Sequence, residues 1–197
     1  SKLENIKASP TLFFEFHGSE ESNKESIKIV EELSKNNHGS DFKWAESIEE
    51  RNKLWKARHD VYYSVKALGQ NMKVYSTDIC VPVSKLVECI SWAEKEVKDK
   101  GLIAPMVGHV GDGNFHSIIL YDPNDKEKQK LIREYSDRLI DKALELEGTI
   151  TGEHGIGLQK KHYLLKEHFD NLPVMKSIKR SLDPNNIMNP GKVFDLN

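Results

Sequence analysis

The chain has 197 residues, 38% of them hydrophobic and 30% charged, with a formal net charge of -2. Those proportions belong to an ordinary globular chain of one domain or two small ones. The absence of a basic cluster argues against a nucleic-acid partner, and no apolar run approaches the ~18 residues of a membrane helix.

Cys80 and Cys89 lack Cys-x-x-Cys spacing and read as reduced, mostly buried thiols. No signal or transit segment is legible, and Ser1-Lys2-Leu3 reads as an internal starting point.

In chain order, Leu12 to Phe16 is a short apolar run that predicts a buried strand ending at His17-Gly18. Ser19 to Asn36 predicts a helix with Ile27, Val30 and Leu33 at helical spacing, capped by Ser19 or Ser22. A turn cluster at Asn36 to Ser40 precedes a short strand over Phe42, Trp44 and Ala45. Ser47 and Glu50 have capping-box spacing and open a helix with Leu54, Trp55, Arg58 and Tyr62 on one face. Lys73 to Val83 predicts a strand ending near Pro82. Ser84 then caps a helix to about Lys100, with Leu86, Val87, Ile90, Ala93 and Val97 on its buried side. Ile103 to His109 and Asn114 to Tyr121 are the arms of a hairpin. A long helix over Asp125 to Glu147 turns Leu131, Ile132, Tyr135, Leu139 and Leu146 inward and stops at Gly148. Helices at about Leu158 to Glu167 and Pro173 to Ser181 precede an Asp183-Pro184 turn.

This alternation predicts an α+β fold, one mostly antiparallel sheet with helices on one face and the other face left for a partner or an active site. The strand-helix-strand-strand-helix order of residues 73–147 is the ferredoxin-like pattern.

The chemistry concentrates in two blocks. In Gly108 to His116, Asp112-Gly113 predicts a two-residue type I′ turn, because both central positions need φ > 0. Such a turn pairs Gly111 with Asn114 and Val110 with Phe115, and sets His109 directly opposite His116 with Cβ atoms roughly 5 Å apart. Two imidazoles held that way are a natural pair of metal ligands. Thr151-Gly152-Glu153-His154-Gly155-Ile156-Gly157 adds a carboxylate and a third imidazole on a glycine-rich loop. Two His and one Glu with a position left open compose a catalytic rather than a structural metal site. A divalent Zn or Mn ion on His109, His116 and Glu153 would orient a substrate hydroxyl and lower its pKa, and a 2-hydroxy acid can chelate one ion through hydroxyl and carboxylate. A neutral imidazole at His154, beside Glu153, is suited to take the hydroxyl proton. The bland readings are a mere turn flanked by histidines and a surface histidine in a glycine loop. His17, His38 and His59 read as structural or exposed, His162 and His168 as solvated.

Three ordered stretches, Gly108 to His116, Thr151 to Gly157 and Leu182-Asp183-Pro184-Asn185-Asn186-Ile187-Met188-Asn189-Pro190-Gly191-Lys192, resemble the C-terminal domain of FAD-linked oxidases. The similarity starts near Thr11 to Gly18 and runs to the end, so residues 1–197 read as one substrate-binding domain of that family. The branch it most resembles is the D-lactate dehydrogenases that pass electrons to cytochrome c.

The resemblance implies a ferredoxin-like substrate domain, FAD as the hydride acceptor, and oxidation of D-lactate to pyruvate. It implies His154 as the catalytic base, His109, His116 and Glu153 as metal ligands, and Arg58 as the group that binds the substrate carboxylate, a task its bidentate guanidinium suits. It also implies a contact from Asn189 to FAD, cytochrome c or another terminal acceptor, and a mitochondrial location. The family carries a flavin-binding domain ahead of this one, and no Gly-x-Gly-x-x-Gly motif is present here. The chain alone is therefore expected to be inactive. The 2-hydroxyglutarate branch places a lysine just ahead of a strand Asp. Here the run is Tyr75-Ser76-Thr77-Asp78, with Lys73 too far back, which favours a monocarboxylate over 2-hydroxyglutarate, glycolate remaining a relative of D-lactate. Outside the family, the alternatives are a flavin-independent metal hydrolase in which His154 activates metal-bound water, and a non-enzymatic metal-binding or docking module.

Overall fold

The computed structural model of the chain describes residues 9–45, 47–69 and 71–196, and the Ser1-Lys2-Leu3 start lies outside them. The chain divides into two units, with the boundary between Ser64 and Val65.

The N-terminal unit holds α1 (Glu20–Asn36) and α2 (Ile48–His59), and α3 (Val61–Lys66) spans the boundary. Ser19 caps α1, its hydroxyl accepting the Ser22 N–H at 3.2 Å. A full capping box opens α2: Ser47 Oγ accepts from Glu50 N and Glu50 Oε2 from Ser47 N, both at 3.2 Å. Helix α2 ends at Asp60, so Tyr62 belongs to α3 rather than to the face that carries Leu54, Trp55 and Arg58. The strands expected at 12–16 and 42–45 do not form, and Leu12, Phe14 and Trp44 stay exposed. Their aromatics pair locally instead, Phe14 on Phe16 at 6.3 Å between centroids and Phe42 on Trp44 at 6.2 Å. A strand needs a neighbouring edge for its backbone groups, and an apolar run does not provide one.

The C-terminal unit runs β1 (Lys73–Ser76), β2 (Ile79–Cys80), α4 (Val83–Asp99), β3 (Met106–His109), β4 (Asn114–Tyr121), α5 (Lys126–Glu145), α6 (Lys161–His168) and α7 (Leu172–Leu182). Strand β4 is the spine of a four-stranded antiparallel sheet and pairs with the other three. Ser76 lies opposite Ile118 and Ile79 opposite Phe115, so β1 and β2 share one register and form a single strand interrupted at Thr77-Asp78. The predicted strand over 73–83 follows this course, with a break at the place where Asp78 faces His116. Strand β3 lines the other edge of β4, and the bridge between Ile103 and Leu120 continues it past Pro105.

Seven of the eight β4 residues are buried, so the strand is covered on both faces. Phe115, Ser117 and Ile119 point toward α5: Phe115 and Ile119 pack in one core with Ile132, Tyr135 and Leu139, and Ser117 Oγ meets Tyr135 Oη at 2.7 Å. Alternation along the strand then turns Asn114 and His116 to the face away from those helices. That face carries the candidate site.

Three details differ from the predicted pattern. Pro82 precedes α4 without a side-chain cap, and Ser84 falls inside the first turn. The buried row is accordingly Leu86, Cys89, Ala93 and Glu96, while Val87, one residue off that row, is exposed. At the end of α5 the left-handed residue is Glu147 (φ 61), not Gly148. Gly148 is required for space: a Cβ there would overlap the Cys80 carbonyl oxygen. That close approach lets Thr149 bridge to Cys80, which delivers the loop of residues 149–160 beside β2.

Candidate functional site

The hairpin turn is longer than Asp112-Gly113. Val110–Asp112 form a 3-10 turn and Gly113 alone takes the left-handed conformation (φ 79). A type I′ turn needs positive φ at two residues, and Asp112 does not supply the first. Gly113 tolerates no side chain, since a Cβ would overlap Val81 O, whose own residue donates its N–H to Gly113 O at 3.0 Å. The four-residue turn shifts the register: His109 lies opposite Asn114, and Val107 lies opposite His116. The direct His109–His116 pairing is therefore corrected to a diagonal one. Opposed residues share a face, so His109 stays on the face of His116, at the roughly 7–8 Å typical of diagonal neighbours, exposed at the end of β3.

His116 is 7% exposed. Its Nδ1 lies 2.9 Å from Thr77 O, and its Nε2 lies 2.8 Å from Glu153 Oε1. A carbonyl can only accept, so Nδ1 carries a proton, and Nε2 is left to face the Glu153 carboxylate. Two acceptors 2.8 Å apart repel unless a proton or a cation lies between them. A ring nitrogen that donates to a backbone carbonyl fixes the orientation of the imidazole, a feature that metal-ligating histidines share.

His154 stacks on His116, ring centroids 4.8 Å apart and planes within 12°. Its Nε2 lies 3.5 Å from Glu153 Oε1, and half of its side chain is open to solvent. The structure thus brings together three predicted site residues, His116, Glu153 and His154, from β4 and the glycine-rich loop.

Beneath them lies Asp78, 2% exposed. Its carboxylate accepts from Thr151 Oγ1 (2.7 Å), Asn114 Nδ2 (3.0 Å), His154 N (3.0 Å), Glu153 N (3.2 Å) and Lys160 Nζ (3.2 Å). Burial alone raises its pKa, but the Thr151 hydroxyl, the His154 amide, the Lys160 charge and Asn114 outweigh it and hold the carboxyl well below the usual range. Burial also lowers the pKa of the Lys160 ammonium, against the pull of Asp78. Ligand atoms of Asp78, His116 and His154 lie within 4.8 Å of one another. Asp78 is nonetheless a poor ligand, because a carboxylate offers about four lone-pair sites and five donors already occupy them. Among the described residues, His116 Nε2 and Glu153 Oε1, 2.8 Å apart, are donors of the kind a divalent ion takes, with His154 Nε2 3.5 Å from the same carboxylate oxygen.

Sequence reasoning met Asp78 and Thr151 only as motif positions and gave neither of them, nor Lys160, a role in the site. A signal existed: an aspartate inside a strand that continues as Ile79-Cys80-Val81 is out of place and demands partners when buried. Gly152 belongs to the same construction, since a Cβ there would overlap Asn114 Nδ2.

Two further predicted site residues are carried by other elements. Arg58 lies half-buried on α2 in the N-terminal unit. Asn189 (φ 46) lies in the exposed loop after α7, and Lys192 Nζ donates to its Oδ1 at 3.2 Å. That loop is tied to the glycine-rich block, with Val193 N donating to Gly157 O at 2.8 Å and Lys161 Nζ to Gly191 O at 2.9 Å.

A sequence model of the FAD linked oxidases, C-terminal domain, matches residues 2–193. The chain belongs to this family. As an FAD-linked oxidase C-terminal domain it is 50% identical over 189 residues to "Probable D-lactate dehydrogenase, mitochondrial" of Danio rerio, a match over 95% of this chain and 38% of that protein. It is 41% identical over 191 residues to "D-lactate dehydrogenase (cytochrome), mitochondrial" of Arabidopsis thaliana, 96% of this chain and 34% of the relative. The domain thus spans between 34% and 38% of the length of these two relatives. A solved 4-ethylphenol oxidase of Gulosibacter chungangensis, in complex with isoeugenol, superposes with a TM-score of 0.63 at 18% identity, over 90% of this chain and 38% of the other. At that identity the likeness speaks to the fold alone, and it agrees with the α+β architecture. Among the described residues no helix is long and apolar enough to cross a membrane.

Proposed function

We propose that the chain is the substrate- and metal-binding half of a flavin-dependent D-2-hydroxy acid dehydrogenase that oxidises D-lactate to pyruvate. One observation carries the reading: a buried imidazole with its orientation fixed by Thr77 O turns Nε2 onto the Glu153 carboxylate at 2.8 Å, with a second imidazole stacked on it. Family membership adds FAD, and the names of the relatives add D-lactate.

His116, Glu153 and His109 are the residues that would hold a divalent Zn or Mn ion. Bound there, the ion supplies Lewis acidity and FAD supplies a two-electron acceptor. His154 takes the proton from the substrate hydroxyl, while the C2 hydrogen leaves with its electron pair and the hydroxy acid becomes a 2-oxo acid. Its backbone N–H, bonded to Asp78, and its ring, stacked on His116, support a fixed place for that base. Arg58 binds the substrate carboxylate and Asn189 contacts the flavin, both by correspondence with the family's motifs. Ser76 and Thr77 precede Asp78 where the 2-hydroxyglutarate branch has a lysine, and Lys73 sits at the far end of β1 opposite Tyr121. These positions suit a monocarboxylate. The electrons pass on to cytochrome c or another acceptor in the mitochondrion, as the relatives' names suggest.

The test is metal content and flavin reduction in the full-length protein, beside the His116→Ala variant. Near-stoichiometric Zn or Mn that disappears in the variant, with flavin bleached by D-lactate only in the wild type, is the expected result. Metal-free protein that still bleaches with D-lactate overturns the metal assignment, and flavin that no 2-hydroxy acid bleaches overturns the reading as a whole. Residues 1–197 alone are expected to show no D-lactate-dependent dye reduction.

A further inference from the structure

Glu153 and His154 lie on a segment, residues 151–160, with no helix or strand of its own. Their amides have no ladder to join, yet side chains placed to act on one substrate need fixed positions. The Asp78 carboxylate supplies the missing acceptors: it takes the N–H of His154 at 3.0 Å and that of Glu153 at 3.2 Å, together with the Thr151 hydroxyl at 2.7 Å. Asp78 in turn stands directly across the sheet from His116, in the one gap that interrupts the β1–β2 strand. Lys160 closes the far end of the loop. Its Nζ donates to Asp78 O at 3.0 Å, Asp78 Oδ2 at 3.2 Å and Ile150 O at 3.0 Å, which uses all three ammonium protons.

We propose that the Asp78–Lys160 ion pair is the positioning device of the site, fastening the loop of Glu153 and His154 against His116 without touching metal or substrate. The pair joins three stretches of chain at one point: the broken strand, the start of the loop at Ile150, and its end at Lys160. Its carboxylate has no lone pair to spare for an ion and its ammonium no proton to spare for a substrate. Both residues act through the groups they hold. Why the positioning matters rests on the proposed function, but the positioning itself does not.

The experiment is backbone hydrogen exchange on the full-length protein, read alongside Mn²⁺ binding by calorimetry. In the wild type the Glu153 and His154 amides are expected to exchange at least about ten-fold more slowly than those of the exposed residues around Leu158. Lys160→Met and Asp78→Asn are expected to erase that protection and weaken Mn²⁺ binding by about ten-fold, while amides of α5 stay protected. Lys160→Arg, which keeps the charge and the donors, is expected to restore both. A buried charge left without its partner can unfold a protein, so the milder Thr151→Val is measured as well and is expected to move the same two amides in the same direction. Fast exchange of both amides in the wild type overturns the proposal, as does undiminished protection in a folded Lys160→Met or Thr151→Val variant. Loop release in a protein that binds no Mn²⁺ even as wild type upholds the positioning role and sinks the metal reading instead.

Discussion

The imidazole of His154 lies face to face with that of His116, centroids 4.8 Å apart and planes within 12°, so an exposed ring is indexed on a buried one. The pair divides the labour of the site. His116 is held at both nitrogens, by Thr77 O and Glu153, whereas His154 presents a half-open ring.

Replacing each in turn is therefore expected to give different losses. His154→Ala should lower D-lactate turnover by roughly 10²- to 10⁴-fold, the usual contribution of a positioned base, and leave bound metal unchanged. His116→Ala should remove the metal and also cost about 1 kcal/mol of stability, because the Thr77 carbonyl loses one of its two donors and keeps only the Ser76 hydroxyl. Steady-state kinetics, metal analysis and denaturant unfolding on the same preparations distinguish the two. Equal metal loss in both variants would contradict this division.

Gly152 lies where a methyl group would overlap the Asn114 amide nitrogen, itself bonded to Asp78 and Ile79 O. Gly152→Ala is expected to cost about 1–3 kcal/mol, as overpacking of a filled site does, and to depress activity beyond the stability loss by displacing the loop. A urea titration and kcat measured well below the unfolding transition check both parts.

Acid stability should carry the signature of Asp78. Its folded pKa lies below the ordinary carboxylate value, so the unfolded chain binds its proton first on acidification. Its contribution is then complete above pH ~4 and is lost as pH falls toward the folded value. The stability difference between wild type and Asp78→Asn is expected to stay constant from about pH 8 to 5 and to narrow below about 4. A difference that already shrinks between pH 7 and 5 would place the folded pKa on the wrong side.

Alkaline stability should follow Tyr135. Burial pushes its phenol up to about 12, with the Ser117 hydrogen bond pulling the other way. The folded value exceeds the unfolded one, so this stabilisation is complete below pH 10 and is lost as pH rises toward 12. Over that span the loss amounts to about 2–3 kcal/mol. Tyr135→Phe is expected to be less stable at neutral pH for want of the Ser117 partner, yet to decline less steeply above pH 10. Parallel curves for the two proteins would exclude Tyr135 as the titrating group.

Much of this molecule is local and was legible in the residue order. Ser19 and the Ser47–Glu50 box cap their helices because the groups involved are three residues apart. The α5 stripe of Ile132, Tyr135 and Leu139 follows from helical periodicity, and three ordered motifs, two of them bearing histidine, name the family. Pairing was not legible to the same depth. The runs at 12–16 and 42–45 have the composition of strands but pair with no strand among the described residues. The hairpin register turned on whether Asp112 takes a positive φ, a choice that the close packing of Gly113 on Val81 O makes instead. Asp78, Thr151 and Lys160 meet only because Thr149 bridges to Cys80 and β1 and β2 run in one register along β4. A buried charge is tolerable only where donors from distant stretches converge, and no spacing along the chain encodes that convergence.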